Sequence, residues 1–176
     1  MRALLLSRAS VRIGVPALAA TALTVGLAGS ASAATATRTV TDGGTTYNLT
    51  LNAPDTLSAS GEVITVTGSG YNTAQGVYVA LCKIPAAGAK PGPCLGGQDE
   101  TGTTGASHWV NNLFGGTVAN SSKFTAGGSF SANIYVHPVI NDQVDCTVDE
   151  CAIFTKADHF DAEDRKYDVA VPVTFE

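Results

Sequence analysis

The stretch "VITVTGSGYNTAQGVYVALCKI" (63–84) predicts two β-strands joined by a turn-rich segment. In its first part, Ile64 and Val66 alternate with threonines, which is the period-two pattern of a half-buried strand. In "VYVALCKI" (77–84), β-branched and apolar residues follow one another, as they do in a central strand. "GSG" (68–70) supplies turn chemistry between the two strands.

The same alternation recurs on both sides of this stretch. Apolar residues fall at every second position in "YNLTL" (47–51), in "FSANIYV" (130–136) and in the terminal "VAVPVTF" (169–175), where Pro172 suits an edge strand or a bulge. Beyond the N-terminal segment, no window of ten residues has a helical period. Several short strands separated by turns predict one all-β sandwich domain over residues 45–176, preceded by a flexible Thr/Ala-rich lead-in at 34–44.

The N-terminal segment has the three parts of a secretory signal peptide. Three arginines precede the uncharged run "IGVPALAATALTVGLAG" (13–29), and "ASA" (31–33) supplies small residues for cleavage after Ala33. We therefore expect residues 1–33 to be removed and the mature protein to be extracellular, with no membrane association. An uncleaved membrane anchor is the alternative, but the apolar run is short for a membrane span.

The charge of the mature chain argues against direct nucleic-acid binding. The segment 1–33 holds three of the ten basic residues and none of the fifteen acidic ones, so the remaining chain has a formal net charge of −8. Proteins that bind nucleic acids need clustered Lys and Arg on one face. Here the basic residues are scattered and outnumbered, and we expect a monomer that makes no direct contact with DNA or RNA.

The four cysteines predict two disulfides, since an oxidising compartment favours them. Three pairings are open, and local closure favours Cys82–Cys94 and Cys146–Cys151. The corner in "VDCTVDEC" (144–151) contains Asp149 and Glu150, so it is expected at the surface, within reach of a reductant. A zinc site or a redox pair is disfavoured, because no histidine has metal-ligand spacing and C-x4-C in a β sequence is not a redox motif.

Motifs of catalysis and metal binding are lacking in the sequence. There is no G-x-S-x-G, H-E-x-x-H or P-loop, so no catalytic residue, metal ligand or tightly bound cofactor is predicted, although a hydrolase site assembled from distant loops stays open. The acidic cluster "DHFDAEDRKYD" (158–168) lacks EF-hand spacing for calcium. We interpret it as a solvated hairpin whose charges protect a sheet edge.

The aromatic stretch "HWVNNLF" (108–114) follows the long Gly/Pro-rich loop 85–106. Trp109, Leu113 and Phe114 either cap the open end of the sandwich or form one wall of an apolar ligand cleft. Sequence alone leaves both interpretations open.

Four motifs in this order resemble the neocarzinostatin family of secreted actinobacterial apoproteins. These are "VITVTGSGY" (63–71), "VYVALC" (77–82) with a second Cys soon after, "VDCTVDEC" (144–151) and the final "VAVPVTFE" (169–176). The resemblance implies a seven-stranded immunoglobulin-like β-sandwich with the pairings Cys82–Cys94 and Cys146–Cys151. It also implies non-enzymatic, non-covalent carriage of an enediyne-type antibiotic chromophore, whose released form, rather than the protein, attacks DNA.

The resemblance also implies where the ligand would lie. The cystine Cys82–Cys94 would form the floor of a cleft, and residues after Cys151, including Thr155, would form a wall. Ile84 stands where the family has an aromatic residue, and "HPVINDQ" (137–143) replaces an aromatic hairpin. The candidate cleft residues are Cys82, Ile84, Cys94, Trp109, Leu113, Phe114, Cys151 and Thr155. The alternative is an immunoglobulin-like interaction module of the cell envelope without a small-molecule cleft.

Overall fold

The computed structural model describes residues 32–96 and 105–176, so the predicted signal peptide lies almost wholly outside the described residues. Within these ranges no helix is long and apolar enough to span a bilayer. The described chain forms twelve strands, namely β1 (Ala33–Asp42), β2 (Thr45–Pro54), β3 (Thr56–Leu57), β4 (Glu62–Ser69), β5 (Val77–Lys83), β6 (Ser107–Val110), β7 (Ser121–Ser122), β8 (Phe130–Val136), β9 (Val139–Asn141), β10 (Val144–Asp145), β11 (Cys151–Ala157) and β12 (Val169–Phe175).

The strands form two large sheets that pack face to face. One sheet has the order β1-β2-β4-β8 and the other has the order β3-β12-β11-β5-β6-β7, while β9 and β10 pair as a separate ribbon. One continuous apolar cluster joins the inner faces of both large sheets. The predicted all-β sandwich is therefore confirmed, and short strands extend it beyond the seven that the resemblance implied.

The opening stretch forms the two strands that the sequence predicted. β4 buries Ile64 and Val66 while Thr65 and Thr67 stay exposed. β5 is buried on both faces, because its inner side packs in the sandwich and loops cover its outer side. Gly70 turns the chain with a φ of +79°, and a Cβ there would lie 2.0 Å from the Asn48 carbonyl oxygen.

The expected flexible lead-in is a paired strand in the structure. β1 is antiparallel to β2 along its whole length, and Gly43 and Gly44, both at positive φ, close the hairpin. Arg38 donates a hydrogen bond to the Asp168 carbonyl oxygen at 2.8 Å. The Thr-rich composition hid this strand, because β1 lies at a sheet edge where polar residues are tolerated.

Both disulfides have the predicted pairing, with Cα–Cα distances of 3.9 Å for Cys82–Cys94 and 5.5 Å for Cys146–Cys151. The expectation of a reductant-accessible corner is wrong, since Cys146 and Cys151 are both buried in the main core. Asp149 still reaches the surface side of that corner, where it pairs with Lys83 at 2.7 Å. The acidic residues therefore stay hydrated or paired while the bond they flank is covered.

Candidate functional site

The outer face of the six-stranded sheet carries a second apolar cluster. Cross-strand partners share a face, and the register pairs Phe154 with Ala80 and Ala152 with Cys82. Together with Cys94 these residues form a buried cluster, against which Ile84 packs. The chain after Ile84 then crosses this face as a loop that Cys94 ties down.

A cleft of about 530 Å³ opens beside this loop. Residues 90–94 and Gly96 form one wall, Ile140 and Asn141 of the β9–β10 ribbon form the other, and Lys156 of β11 contributes a charged group. Prolines, the cystine and Ile140 make much of the lining apolar. The two walls are held independently, one by Cys82–Cys94 and the other by a hydrogen bond from Cys146 N to the Pro138 carbonyl at 2.9 Å.

Lys156 lies on this face because it follows Ala152 and Phe154 at period two. Its side chain is only 7% exposed, and its Nζ lies 3.6 Å from Cys94 Sγ. Burial lowers the pKa of the Lys156 ammonium below its usual value, and the positive charges of Lys90 and Arg165 lower this pKa further, while Asp168 opposes them.

A second, smaller cavity of about 300 Å³ lies under residues 84–89 of the same loop, with Phe154 and Ala170 on its floor. Asp168 and Arg165 line it and pair at 3.0 Å. Burial raises the pKa of Asp168 to about 6, although Arg165 acts in the opposite direction. Its Oδ1 is buried and has no hydrogen-bond partner among the described residues.

The predicted aromatic residues lie on the same face but do not line the 530 Å³ cleft. Strand register places Tyr78 between Lys156 and Trp109. The Trp109 ring packs against Phe114 at a centroid distance of 6.0 Å, and Phe114 packs against Phe160 at 5.8 Å. Leu113 is 78% exposed. Trp109, Phe114 and Phe160 thus form an aromatic cluster on the sheet surface.

Asp158 holds this aromatic cluster together. Its Oδ2 accepts hydrogen bonds from Trp109 Nε1 and Asn111 Nδ2, both at 2.9 Å, and its Oδ1 accepts one from Phe160 N at 3.2 Å. Gly76 permits this approach, because a Cβ there would lie 1.9 Å from Asp158 Oδ2.

The acidic loop 158–168 is therefore not simply a solvated hairpin. Besides Asp158, its Asp164 pairs with Lys166 at 3.1 Å, and Glu163 pairs with Lys90 at 3.1 Å. Lys166 also pairs with Asp42 of β1, to whose Oδ2 Tyr167 donates a hydrogen bond at 2.7 Å. These contacts dock the loop onto the sandwich.

Two of the predicted cleft residues face the interior of the sandwich. Thr155 Oγ1 donates to the Tyr167 carbonyl at 2.9 Å and shares a hydrogen bond with the Tyr71 hydroxyl. Cys151 belongs to the main core. Period two explains both placements, since odd-numbered residues of β11 face inward. Of the remaining candidates, Cys94 lines the larger cleft, Ile84 lines the smaller one and Cys82 lies buried beneath the loop.

One hydrogen bond among the described contacts joins a serine side chain to a histidine side chain. His108 Nε2 lies 2.9 Å from Ser122 Oγ, and burial lowers the pKa of His108. Among the described residues, no hydrogen bond joins His108 to a carboxylate, which is the orienting acid of a catalytic triad. In the same residues, no group of three or more His, Cys, Asp or Glu side chains is placed to hold a metal ion.

The described chain is thus an all-β sandwich with two cystines and a cleft beside one of them. No protein-family model matches the chain, and no curated protein matches it. Among solved structures, macromomycin is similar, with 20% sequence identity, a TM-score of 0.45, and coverage of 81% of this chain and 100% of that one.

Lys156 is the cleft residue that the sequence interpretation missed. A lysine inside "CAIFTKADHF" (151–160) is easily interpreted as a solvent-facing residue of a strand. Its spacing from Phe154, which is buried on the outer face, was the available signal. Only the covering loop, however, turns that position into a buried one.

Proposed function

We propose that the protein is a secreted, non-enzymatic binding protein that carries or sequesters a small apolar or aromatic molecule. The observation that carries this proposal is the cleft between the cystine-tied loop 90–96 and the ribbon residues Ile140 and Asn141. Small-molecule sites are typically concave and mostly apolar, with a few placed polar groups. A volume of about 530 Å³ is within the range of such sites.

The sequence motifs that resemble the neocarzinostatin family support a more specific ligand, an enediyne-type chromophore held without a covalent bond. In that interpretation the released chromophore acts on DNA, and the polypeptide does not. The charges support this division, because the chain carries a net charge of −5 and described basic residues such as Lys83, Lys166 and Arg165 are paired with acids. The two disulfides are consistent with an extracellular site of action.

Two neighbouring ribbon residues allow a direct test. Ile140 lines the cleft, whereas Val139 is largely exposed. We expect Ile140→Trp to fill the cleft and weaken binding of a neutral aromatic probe, 2-naphthamide, by about tenfold or more, which is about 1.4 kcal/mol or more. Val139→Trp is the matched control and should leave the affinity unchanged. Titrations followed by amide chemical shifts would report both affinity and location.

The same preparation addresses the natural ligand. Protein purified from its native culture should carry co-purifying absorbance above about 300 nm if an extended chromophore is bound, since the side chains of proteins absorb little there. A colourless protein whose amides at 90–96 do not shift with 2-naphthamide would contradict the proposal.

The alternative function, an interaction module of the cell envelope, has one observation in its favour. Phe114 and Phe160 are stacked yet 44% and 62% exposed, and Leu113 projects beside them. Exposed apolar patches often mark protein-contact surfaces. If this function is the correct one, Phe114→Ser with Phe160→Ser should abolish sedimentation with envelope fractions, and Ile140→Trp should leave it intact.

A further inference from the structure

Among residues 32–96 and 105–176, Lys156 is a buried lysine with no anionic partner. Its Nζ carries three N–H donors when it is protonated, and its one polar contact among residues 32–96 and 105–176 is Cys94 Sγ at 3.6 Å. A cystine sulfur is a weak acceptor, so this contact does little to offset burial of an ammonium group. The side chain is 93% buried, with 7% of its surface exposed.

The acids of the loop 158–168 do not pair with Lys156. Asp168 accepts Arg165 at 3.0 Å through Oδ2, while its Oδ1 has no hydrogen-bond partner among the described residues, and Glu163 accepts Lys90 at 3.1 Å. Asp158, two residues along the chain, accepts Trp109 and Asn111. None of the described carboxylates lies within ion-pair distance of Lys156 Nζ.

The charge of the cleft is opposite to that of the chain. The described side chains that line the cleft include two ammonium groups, Lys90 and Lys156, and no carboxylate. Asn141 lies on the facing wall, and its Oδ1 accepts the Gln143 amide at 2.9 Å, which leaves its NH₂ group as a further donor. In a protein with a net charge of −5, this is a local basic site surrounded by apolar surface.

We infer that Lys156 anchors an anionic oxygen of the ligand, so that the cleft selects an apolar or aromatic molecule bearing a carboxylate. This inference rests on the proposed function. A carboxylate would give the buried ammonium the charge-assisted hydrogen bonds that it lacks. The apolar body would pack against Ile140, Pro93 and the cystine. Burial lowers the pKa of Lys156, and an anion in the cleft would raise it again.

The test compares two probes that differ in charge, 2-naphthoate and 2-naphthamide, at neutral pH and low salt. We expect the wild-type protein to bind 2-naphthoate about tenfold more tightly than the amide, the preference that a charge-assisted contact would give. In Lys156→Met the preference should be lost, so that the two affinities become equal within about twofold. Lys123→Met, which removes an exposed lysine outside the cleft, is the matched control and should keep the preference.

The pH dependence adds a readout that general loss of structure would not reproduce. Affinity for 2-naphthoate should fall as pH rises through the pKa of Lys156, whereas affinity for the amide should stay flat. The titratable groups around Lys156, namely Lys90, Arg165, Asp168 and its cross-strand partner Tyr78, remain present in the Lys156→Met variant, which should show no such fall.

Three results would overturn this inference. Equal affinities of the wild-type protein for acid and amide would reject the anchor while leaving the proposed function intact. Absence of binding by both probes would reject the inference and the function together. A further decrease in the Lys156 pKa in Asp99→Asn with Glu100→Gln, measured by NMR of labelled lysine, would show that acids of segment 97–104 partner this amine, and no ligand anion would then be needed.

Discussion

Two buried charged residues lie two positions apart at the end of strand β11, and they differ in how many hydrogen bonds the described chain gives them. Asp158 is 1% exposed and accepts hydrogen bonds from Trp109, Asn111 and Phe160. Lys156 is nearly as buried, yet it contacts only a cystine sulfur among the described residues. Asp158 thus helps to organise the fold, whereas Lys156, which has no anionic partner among the described residues, is the charge that we infer to bind a ligand.

The difference follows from the energetics of burial. Removing an ion from water costs several kcal/mol, and protein contacts offset this cost only when the geometry satisfies the charge. Around Asp158 the chain supplies three donors and a glycine at position 76 that lets the carboxylate approach. Around Lys156 it supplies like charges from Lys90 and Arg165, and the one opposing charge, that of Asp168, does not form an ion pair with it. Substitutions at the two positions should therefore have effects of opposite sign.

The largest effect is expected at the satisfied charge. Asp158→Ala leaves the Trp109 indole and the Asn111 amide as buried donors without an acceptor, so the free energy of unfolding should fall by about 3 kcal/mol. Urea unfolding followed by the fluorescence of Trp109, the single tryptophan, measures this change. Asp142→Ala, at an exposed position, is the control and should change stability by less than about 0.5 kcal/mol.

A double-mutant cycle makes the Asp158 prediction more specific. Trp109→Phe removes one of the stranded donors while keeping an aromatic ring, and because it also removes the single tryptophan, unfolding of all four proteins is followed by circular dichroism. The loss in the double variant should then be smaller than the sum of the two single losses, because one donor is no longer left unsatisfied. Additive losses would show that Asp158 does not act through Trp109.

The second prediction concerns the loop that Cys94 ties down over Lys156, the other buried charge. Cys82→Ser with Cys94→Ser should lower the free energy of unfolding by about 3 kcal/mol, the chain-entropy value for this loop. Because the loop also buries Lys156, the pKa of Lys156 should rise toward its ordinary value, as measured by NMR of labelled lysine. Fluorescence of Trp109 in the folded variant should stay unchanged, since the contacts of Asp158 do not involve the loop.

The smaller cystine provides the control for this second prediction. Cys146→Ser with Cys151→Ser opens a shorter loop and should cost about 2 kcal/mol. It should leave the pKa of Lys156 where it is in the wild-type protein. An equal change of that pKa in both double variants would show that general loosening, rather than the Cys94 loop, controls burial of Lys156.

The features that local sequence determines could be predicted, whereas those that depend on long-range contacts could not. Alternation in "VITV" (63–66) and the continuous apolar run of β5 are local signals, so the all-β sandwich was predictable. The cystine pairing was predictable because loop closure favours near neighbours. The cleft was not, because it depends on where a Gly/Pro-rich loop crosses the sheet, and that loop carries no periodic pattern.

The candidate site residues also divide into those placed by a local constraint and those placed by contacts with distant residues. Cys94 and Ile84 each line a cavity in the structure, Cys94 the larger one and Ile84 the smaller one, because the cystine is a local constraint on the loop between them. Thr155 was misplaced by one residue, and in a strand one residue changes the face. Trp109 was noticed for its size, but its position follows from Asp158, which lies 49 residues away in sequence. Contacts over such separations leave no local pattern.

The last and smallest effect is expected at the unsatisfied charge. Lys156→Met replaces a buried ammonium by an apolar side chain of similar length, so the free energy of unfolding should rise by about 1 kcal/mol near pH 7. Folded Lys156 has a pKa below the ordinary 10.5, so it loses its proton before the unfolded chain does. The unfolded state then binds more protons, and wild-type stability should increase with pH between those two pKa values. The advantage of Lys156→Met should therefore shrink as pH rises toward 10.5, and urea unfolding of both proteins at a series of pH values measures it. A constant advantage would mean that shape rather than charge distinguishes the variant, and a loss of stability would mean that Lys156 has a partner after all.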